Sequence, residues 1–325
     1  MNTRPNQGKI TEYNLPFIEQ RADPYIIRHT DGKYYFTATV PEYDRIVLRS
    51  ADSIRSLKAA EEKVLWEAHE SGEMSCHIWA PELHFLFGKW YIYFAAGEKE
   101  DKWRIRPFVL ECTGDNPMKD EWIEKGKMQR SDDDIYSFEA FSLDATVFEN
   151  KGNWYYIWAE KVSVGIQISN LYIARMESAT KLATAQVLLT TPDYEWERVN
   201  IWVNEGPSII KHDGRIYMTF SASATGEEYC VGLMSIGEDE DILDPHSWRK
   251  ERLPILKSDG QKGFFGPGHN TFTEDEDGNA LCVFHARTYK DVEGDPLDDP
   301  NRHMYVMHVE WAQNGQPVLD YANVI

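Results

Sequence analysis

The feature of this sequence that most constrains its fold is a hairpin pattern that recurs five times. In each copy a turn glycine precedes a short segment rich in aromatic or β-branched residues, and another strand-like segment runs before the glycine. The five glycines are Gly32, Gly88, Gly152, Gly214 and Gly278, at spacings between 56 and 64 residues. Glycine readily supplies the positive φ that a two-residue hairpin turn requires. An antiparallel unit repeated at a steady period, with little helical pattern, is typical of a β-propeller.

We therefore predict an all-β fold, a five-bladed β-propeller formed as one domain by residues 1–325. A chain of 325 residues is longer than most single cores allow, but propellers and barrels are the usual exceptions. No linker rich in Pro, Gly and Ser and no break in composition marks a second domain.

The charge, the apolar runs and the cysteines argue against a nucleic-acid partner, a membrane span, a zinc site and a disulfide framework. The chain carries 34 Lys+Arg against 54 Asp+Glu, a net charge of −20, which leaves little material for the basic face that nucleic acid requires. No apolar run approaches the roughly 18 residues of a membrane span. The four cysteines are widely spaced and indicate neither a zinc site nor a disulfide framework. With no apolar signal region in residues 1–7, we expect a cytoplasmic protein, or a secreted one if a signal had been removed.

Acidic residues recur just before the first strand of the repeats. In a propeller these positions meet at one end of the central channel, although they lie about sixty residues apart in the chain. Eight or nine residues before the turn glycine they hold Asp23, Asp144, Glu205 and His269. Converging carboxylates raise one another's pKa, so a fold tolerates them mainly for metal binding or acid–base chemistry. Glycoside hydrolysis needs such a pair, one carboxyl protonated and one ionised.

These residues belong to a set of short motifs that resembles glycoside hydrolase family 43. That family comprises five-bladed propellers that act as inverting arabinofuranosidases, endo-arabinanases and β-xylosidases. The motifs occur in the family's order over roughly residues 20–290. They are Arg21-Ala22-Asp23-Pro24, Trp79-Ala80-Pro81-Glu82, Leu143-Asp144-Ala145, Asn204-Glu205-Gly206-Pro207, Gly266-Pro267-Gly268-His269-Asn270 and His285-Ala286-Arg287.

The resemblance implies a role for each catalytic position. Asp23 would be the general base that activates water, and Glu205 the general acid. Asp144 would raise the pKa of that acid and orient it. Because an inverting pair leaves room for the water, we expect the carboxyl groups of Asp23 and Glu205 to stand about 6.5–9.5 Å apart.

The resemblance also implies contacts with substrate and with a metal ion. Arg287 would contact both the acid and a sugar hydroxyl, Trp79 would stack on the sugar ring, and we expect His77 to line the same pocket. His269 would bind one structural calcium ion, together with waters, in the central channel. Because calcium prefers oxygen ligands, a single imidazole implies a weak, water-rich site.

The substrate class follows from finer similarities. The chain ends at residue 325 without the β-sandwich that many β-xylosidase relatives append, and residues 77–90 resemble exo-acting α-L-arabinofuranosidases. We therefore expect release of terminal α-L-arabinofuranosyl residues from arabinan, arabinoxylan or arabino-oligosaccharides of the plant cell wall. The alternatives are an endo-arabinanase or β-xylosidase of the same family, a non-catalytic carbohydrate-binding propeller and a structural propeller. Glu160 is expected to be structural, and the acidic stretch 291–299 to be a solvated loop.

Overall fold

The computed structural model describes residues 15–161 and 167–325 of the chain. Residues 1–7, from which we predicted that no secretory signal is present, lie outside this part. The described residues form an all-β structure, as predicted. Its helices are one short α-helix, α1 (Ile54–Leu57), and the 3-10 turns Glu195–Glu197, Pro245–Ser247 and Tyr321–Asn323. None of these helices is long and apolar enough to cross a membrane.

The strands fall into five consecutive antiparallel units and a terminal pair. The first unit contains β1 (Ala22–Arg28), β2 (Tyr34–Thr39), β3 (Arg45–Ala51) and β4 (Lys63–Glu67). The second contains β5 (Cys76–Leu86), β6 (Lys89–Glu98), β7 (Asp101–Cys112) and β8 (Trp122–Lys127). The third contains β9 (Ser142–Asn150), β10 (Asn153–Glu160), β11 (Gln167–Ser178), β12 (Lys181–Leu182) and β13 (Val187–Thr190).

The fourth unit contains β14 (Trp202–His212), β15 (Arg215–Ala222), β16 (Cys230–Gly237) and β17 (Arg249–Lys250). The fifth contains β18 (Phe265–Glu274), β19 (Ala280–Arg287) and β20 (His303–His308), and the terminal pair is β21 (Glu310–Trp311) with β22 (Pro317–Val318). A short parallel pairing between β11 and β14 joins the third and fourth units into one sheet.

The turn glycines explain where the hairpins form. All five have φ between 72° and 83°. At Gly88, Gly152 and Gly214 the preceding residue also has a positive φ, so these are two-residue turns of the kind that matches strand twist. The turns at Gly32 and Gly278 are one residue longer, which differs from our expectation; a three-residue hairpin loop places its glycine at the left-handed position instead.

The first strands of the five units contact one another in succession. β1 contacts β5, β5 contacts β9, β9 contacts β14, β14 contacts β18, and β18 contacts β1. The segment before β1 also reaches the last unit, through the backbone pair Ile18 and Met304. The residues just before or within the start of these strands therefore share one end of the structure.

The hydrophobic core lies mainly between neighbouring units. One cluster joins the first unit to the fifth, with Ile26 and Phe36 packed among Val283, Met304 and Val306. Others join the first unit to the second, the second to the third and the third to the fourth. The apolar strand residues are thus used for packing between neighbouring units. The polar residues at the starts of the first strands remain available for a site.

Candidate active site

A β-bulge interrupts each first strand where the site begins. The pairing of all five first strands with their second strands shifts register there. The residues with positive φ at the matching positions are Asp23 (50°), Ala80 (47°), Asp144 (50°), Gly206 (52°) and His269 (43°). A left-handed conformation is uncommon for residues other than glycine and persists only where its surroundings enforce it. Such bulges redirect side chains, and here they accompany the acidic positions of the repeat.

A pocket of about 470 Å³ opens at this end of the structure. The three predicted catalytic residues line it together with Trp79 and His269. The structure therefore brings together residues from all five units. The volume falls within the range of about 300–1,000 Å³ found for small-ligand sites.

Asp23 is surrounded by polar side chains from several units. The hydroxyl of Thr39 donates to its Oδ2 at 2.6 Å, and its own backbone N–H donates to Nδ1 of His285 at 3.1 Å. Its Oδ1 lies 3.3 Å from Nδ1 of His269 and 3.6 Å from a guanidinium nitrogen of Arg302. Burial alone would raise the pKa of Asp23, but the charges of His269 and Arg302 and the His285 ring together hold it well below its ordinary value. Asp23 is therefore ionised at neutral pH.

The pKa of Glu205 is raised, whereas that of Asp23 is lowered. Burial raises the pKa of Glu205 to about 7; a hydrogen bond from Tyr229 and the charge of Arg302 oppose the rise, and the negative charge of Asp23 adds to it. The Tyr229 hydroxyl donates to Oε1 at 2.8 Å. A carboxyl group that holds a proton near neutral pH can act as a general acid.

Asp144 contacts the backbone next to Glu205 and the ring of His269. Its Oδ2 accepts a hydrogen bond from the backbone N–H of Gly206 at 3.2 Å, directly after Glu205. The same oxygen lies 3.7 Å from Nδ1 of His269. Burial and then the negative charges of Glu205 and Asp23 raise the pKa of Asp144 above its ordinary value. Asp144 thus holds the backbone that carries Glu205.

His269 stands between two carboxylates, which bears on the expected calcium ion. Its backbone N–H donates to Oγ of Ser221 at 2.7 Å, and its ring faces Asp23 and Asp144. Calcium takes six to eight oxygen ligands. Within residues 15–161 and 167–325, no three His, Cys, Asp or Glu side chains are grouped so that they could hold a metal ion. A calcium ion beside His269 would therefore take its ligands mainly from water, and calcium stays a prediction.

Two predicted substrate residues lie beside the pocket and do not line it. Arg287 is 1% exposed, and its guanidinium donates to Asp299, to the carbonyl of Thr225 and to the carbonyl of Pro296. These partners take up its donors, and no hydrogen bond from Arg287 to Glu205 is present among the described residues; a contact with a sugar hydroxyl stays a prediction. His77 stacks on Trp79 with ring centroids 4.4 Å apart and supports that ring from one side.

Several residues that line the pocket were not predicted from the sequence. Arg302 and Tyr229 lie immediately before β20 and β16, the third strands of their units. In an antiparallel unit the third strand starts at the same end as the first, so this position was a usable signal. Leu297 also lines the pocket: residues 291–299 form an exposed or half-buried loop, as predicted, and this loop in addition reaches the site.

Two other acidic residues have structural partners. Glu160 accepts hydrogen bonds from the backbone N–H groups of Phe138 and Ala140 and from the indole of Trp158, which confirms the structural role expected for it. Glu82 lies 2.7 Å from Nε2 of His84 and does not line the pocket. Neither residue adds a carboxylate to the pocket.

Comparison with known proteins places this geometry in context. Residues 13–317 match the family described as Glycosyl hydrolases family 43. The extracellular exo-alpha-(1->5)-L-arabinofuranosidase of Streptomyces avermitilis is 45% identical over 97% of this chain and 64% of its own length. The alpha-L-arabinofuranosidase 43 of Humicola insolens is 47% identical over 94% of this chain and 62% of its own length. The chain thus spans just under two thirds of the length of these two relatives.

A third relative and a solved structure match over most of their own length. The extracellular exo-alpha-(1->5)-L-arabinofuranosidase of Streptomyces chartreusis is 47% identical over 87% of this chain and 85% of its own. The crystal structure of an alpha-L-arabinofuranosidase from Lactobacillus brevis has a TM-score of 0.88 and 45% identity, and covers 94% of this chain and 95% of its own.

Proposed function

The chain belongs to glycosyl hydrolases family 43, and from this premise we propose that it is an inverting, exo-acting α-L-arabinofuranosidase. It releases terminal α-L-arabinofuranosyl residues from arabinan, arabinoxylan or arabino-oligosaccharides of the plant cell wall. The observation that carries the proposal is that Asp23, Asp144 and Glu205 line one pocket, with the pKa of Asp23 lowered and that of Glu205 raised to about 7. Relatives named as arabinofuranosidases support the choice of sugar.

In this mechanism the two carboxyl groups act at the same time. Glu205 gives its proton to the glycosidic oxygen as the bond from that oxygen to the anomeric carbon breaks. Asp23 accepts a proton from a water molecule, whose oxygen attacks the anomeric carbon from the opposite face. The sugar leaves with inverted configuration, and Glu205 and Asp23 then exchange protons with solvent to restore the starting state.

Other pocket residues prepare these steps. The hydrogen bond between Asp144 and the backbone of Gly206 holds the neighbouring Glu205 in place. Arg302 lies beside Asp23 and keeps it ionised. The indole of Trp79 is 8% exposed and lines the pocket, where an aromatic face can pack on the apolar face of a sugar ring.

We also propose that the five units are the blades of a single-domain, five-bladed β-propeller. The succession of contacts from β1 through β5, β9, β14 and β18 back to β1 supports this arrangement. So does the hydrophobic cluster that joins the first unit to the fifth. A central channel follows from the same geometry, and a weak calcium site within it is kept as an expectation that calcium titration of the purified protein would test.

We keep the cytoplasm as the proposed location of the protein. All four cysteines are unpaired, and Cys112, Cys230 and Cys282 are buried, which supports a reducing compartment. Against this, two relatives are named extracellular enzymes. Fractionation of the producing cells, with immunodetection in the cytoplasm and the medium, decides between them.

A substrate screen tests the proposed function. The wild-type protein should hydrolyse nitrophenyl α-L-arabinofuranoside and release only arabinose from linear and branched arabinan. Release of internal oligosaccharides would indicate an endo-arabinanase, and preference for nitrophenyl β-xyloside a xylosidase. Binding of arabino-oligosaccharides without hydrolysis would leave a carbohydrate-binding protein.

A further inference from the structure

The loop between β19 and β20, residues 288–302, forms one wall of the pocket. Asp295, Pro296, Leu297 and Arg302 of this pocket-wall loop all line the cavity. The loop is acidic and has little apolar sequence of its own. Its position therefore has to be set by contacts with other parts of the structure.

Arg287 supplies the first of these contacts from the end of β19. One guanidinium nitrogen donates to the carbonyl of Pro296 at 2.6 Å, and another to the carbonyl of Thr225 at 2.7 Å. Thr225 lines the pocket from the segment between β15 and β16, and Pro296 from the pocket-wall loop. A single buried side chain thus ties the loop to that segment.

Asp299 completes this buried arrangement. It accepts from Nε of Arg287 at 3.2 Å, from the hydroxyl of Tyr289 and from the backbone N–H of Asn301. Although burial would raise the pKa of Asp299, these hydrogen bonds and the charge of Arg287 lower it, so the pair stays ionised. A buried charge is costly unless it is paired and hydrogen-bonded. Such a pair specifies one geometry for the loop.

Tyr43 anchors the other end of the pocket-wall loop. Its hydroxyl donates to the carbonyl of Leu297 and accepts from a guanidinium nitrogen of Arg302 at 2.9 Å. Its ring packs edge-on against Trp79 with centroids 5.6 Å apart. The loop is therefore fixed both to the segment that carries Thr225 and, through Tyr43, to the aromatic residue expected to contact the sugar.

We propose that the pocket-wall loop is the element that limits the site to a single terminal sugar, and that Arg287 is the positioning residue that holds it there. This inference rests on the proposed function and deepens it. An enzyme that cuts inside a polymer needs a groove through which the chain passes in both directions. A wall held rigidly between Thr225 and Tyr43, with Pro296 and Leu297 facing the cavity, closes one of those directions.

Two variants test the proposal, with product length on linear α-1,5-arabinan as the main measurement. Arg287→Lys keeps the charge but lacks the planar fork that reaches three partners. Leu297→Ala shortens the wall and leaves Arg287 with its partners. For Arg287→Lys we expect KM on nitrophenyl α-L-arabinofuranoside to rise about tenfold, because charged hydrogen bonds are lost, with kcat changed by less than about threefold. Both variants should release disaccharides and longer products in addition to arabinose.

Asp291→Asn is the matched control, since Asp291 is exposed and lies in the same loop; it should give arabinose alone at the wild-type KM. Circular dichroism and thermal melting verify folding, and if Arg287→Lys fails to fold, Leu297→Ala alone decides. Wild-type protein active as proposed, with folded variants that release only arabinose at the wild-type KM, would overturn the inference. Wild-type protein inactive on every arabinofuranoside would overturn the proposed function and the inference with it.

Discussion

The hydroxyl of Tyr229 donates a hydrogen bond to Oε1 of Glu205 at 2.8 Å. A bond to the ionised form favours ionisation, so Tyr229 works against the burial that raises the pKa of Glu205 to about 7. The two effects together place the proposed acid within the range in which it can both hold and release a proton.

The first prediction concerns the pH dependence of the wild-type protein. Activity requires Glu205 protonated and Asp23 ionised. Because the pKa of Glu205 is raised to about 7 and that of Asp23 is lowered, kcat/KM should be high in mildly acidic solution and fall as pH rises through about 7. A profile of kcat/KM against pH measures this, and a rate that stays constant up to pH 9 would contradict it.

Tyr229→Phe should move that alkaline limb to higher pH. The loss of a hydrogen bond to the ionised carboxylate raises the pKa of Glu205, by roughly one unit for a bond of this kind. The same pH profile, recorded for the variant, tests the shift. A limb that stays in place or moves to lower pH would show that Tyr229 does not act on the titrating group.

Glu205→Ala should reduce turnover most where the leaving group needs a proton. On arabino-oligosaccharides we expect a loss of about 10²–10⁴-fold. On nitrophenyl α-L-arabinofuranoside, whose phenolate leaves without protonation, the loss should be much smaller. Equal losses on both substrates would remove Glu205 from the role of acid.

Asp23→Asn should reduce activity to a similar extent on both kinds of substrate, because activation of water is needed whatever the leaving group. A loss of about 10²–10⁴-fold is expected. Asp277→Asn makes the same chemical change at an exposed hairpin turn and should leave the rate unaltered. Substantial turnover by the Asp23 variant would assign the base elsewhere.

Gly268→Ala should disturb the site by displacing Tyr229. A Cβ atom at this position would stand 2.1 Å from the ring of Tyr229, so that ring has to shift, and with it the hydroxyl that donates to Glu205. We expect a loss of about 1–3 kcal/mol in the free energy of unfolding, together with reduced activity. Gly260→Ala is the control, because its Cβ meets only ordinary contacts at 3.5 Å with Phe265. Denaturant unfolding of both variants provides the comparison.

The carboxylates of the site could be predicted from the sequence because they stand at equivalent positions of the repeat. Asp23, Asp144 and Glu205 occupy matched places before the first strands, and any closed arrangement of equivalent units brings such places together. The β-bulges that redirect them left no pattern in the sequence, since a left-handed φ at Ala80 or His269 results from packing and not from residue type.

The rest of the site could not be predicted for a different reason. Arg302 and Tyr229 stand immediately before third strands, a signal that is weaker because the distance from the turn glycine to the third strand varies between units, and Leu297 lies in a loop outside the repeat. Arg287 was assigned by resemblance to a contact with the acid. Its actual partners, Asp299 and the carbonyls of Thr225 and Pro296, depend on loop conformations that only the folded chain defines.

Asp23 and Glu205 are proposed to act as base and acid on opposite faces of one sugar. Proton NMR of the product formed from nitrophenyl α-L-arabinofuranoside during the first minutes of reaction distinguishes this from a two-step mechanism. We expect β-L-arabinofuranose to form first, as direct attack by water requires. Initial formation of the α-anomer would reveal two successive displacements and contradict the role of Asp23 as a base that activates water.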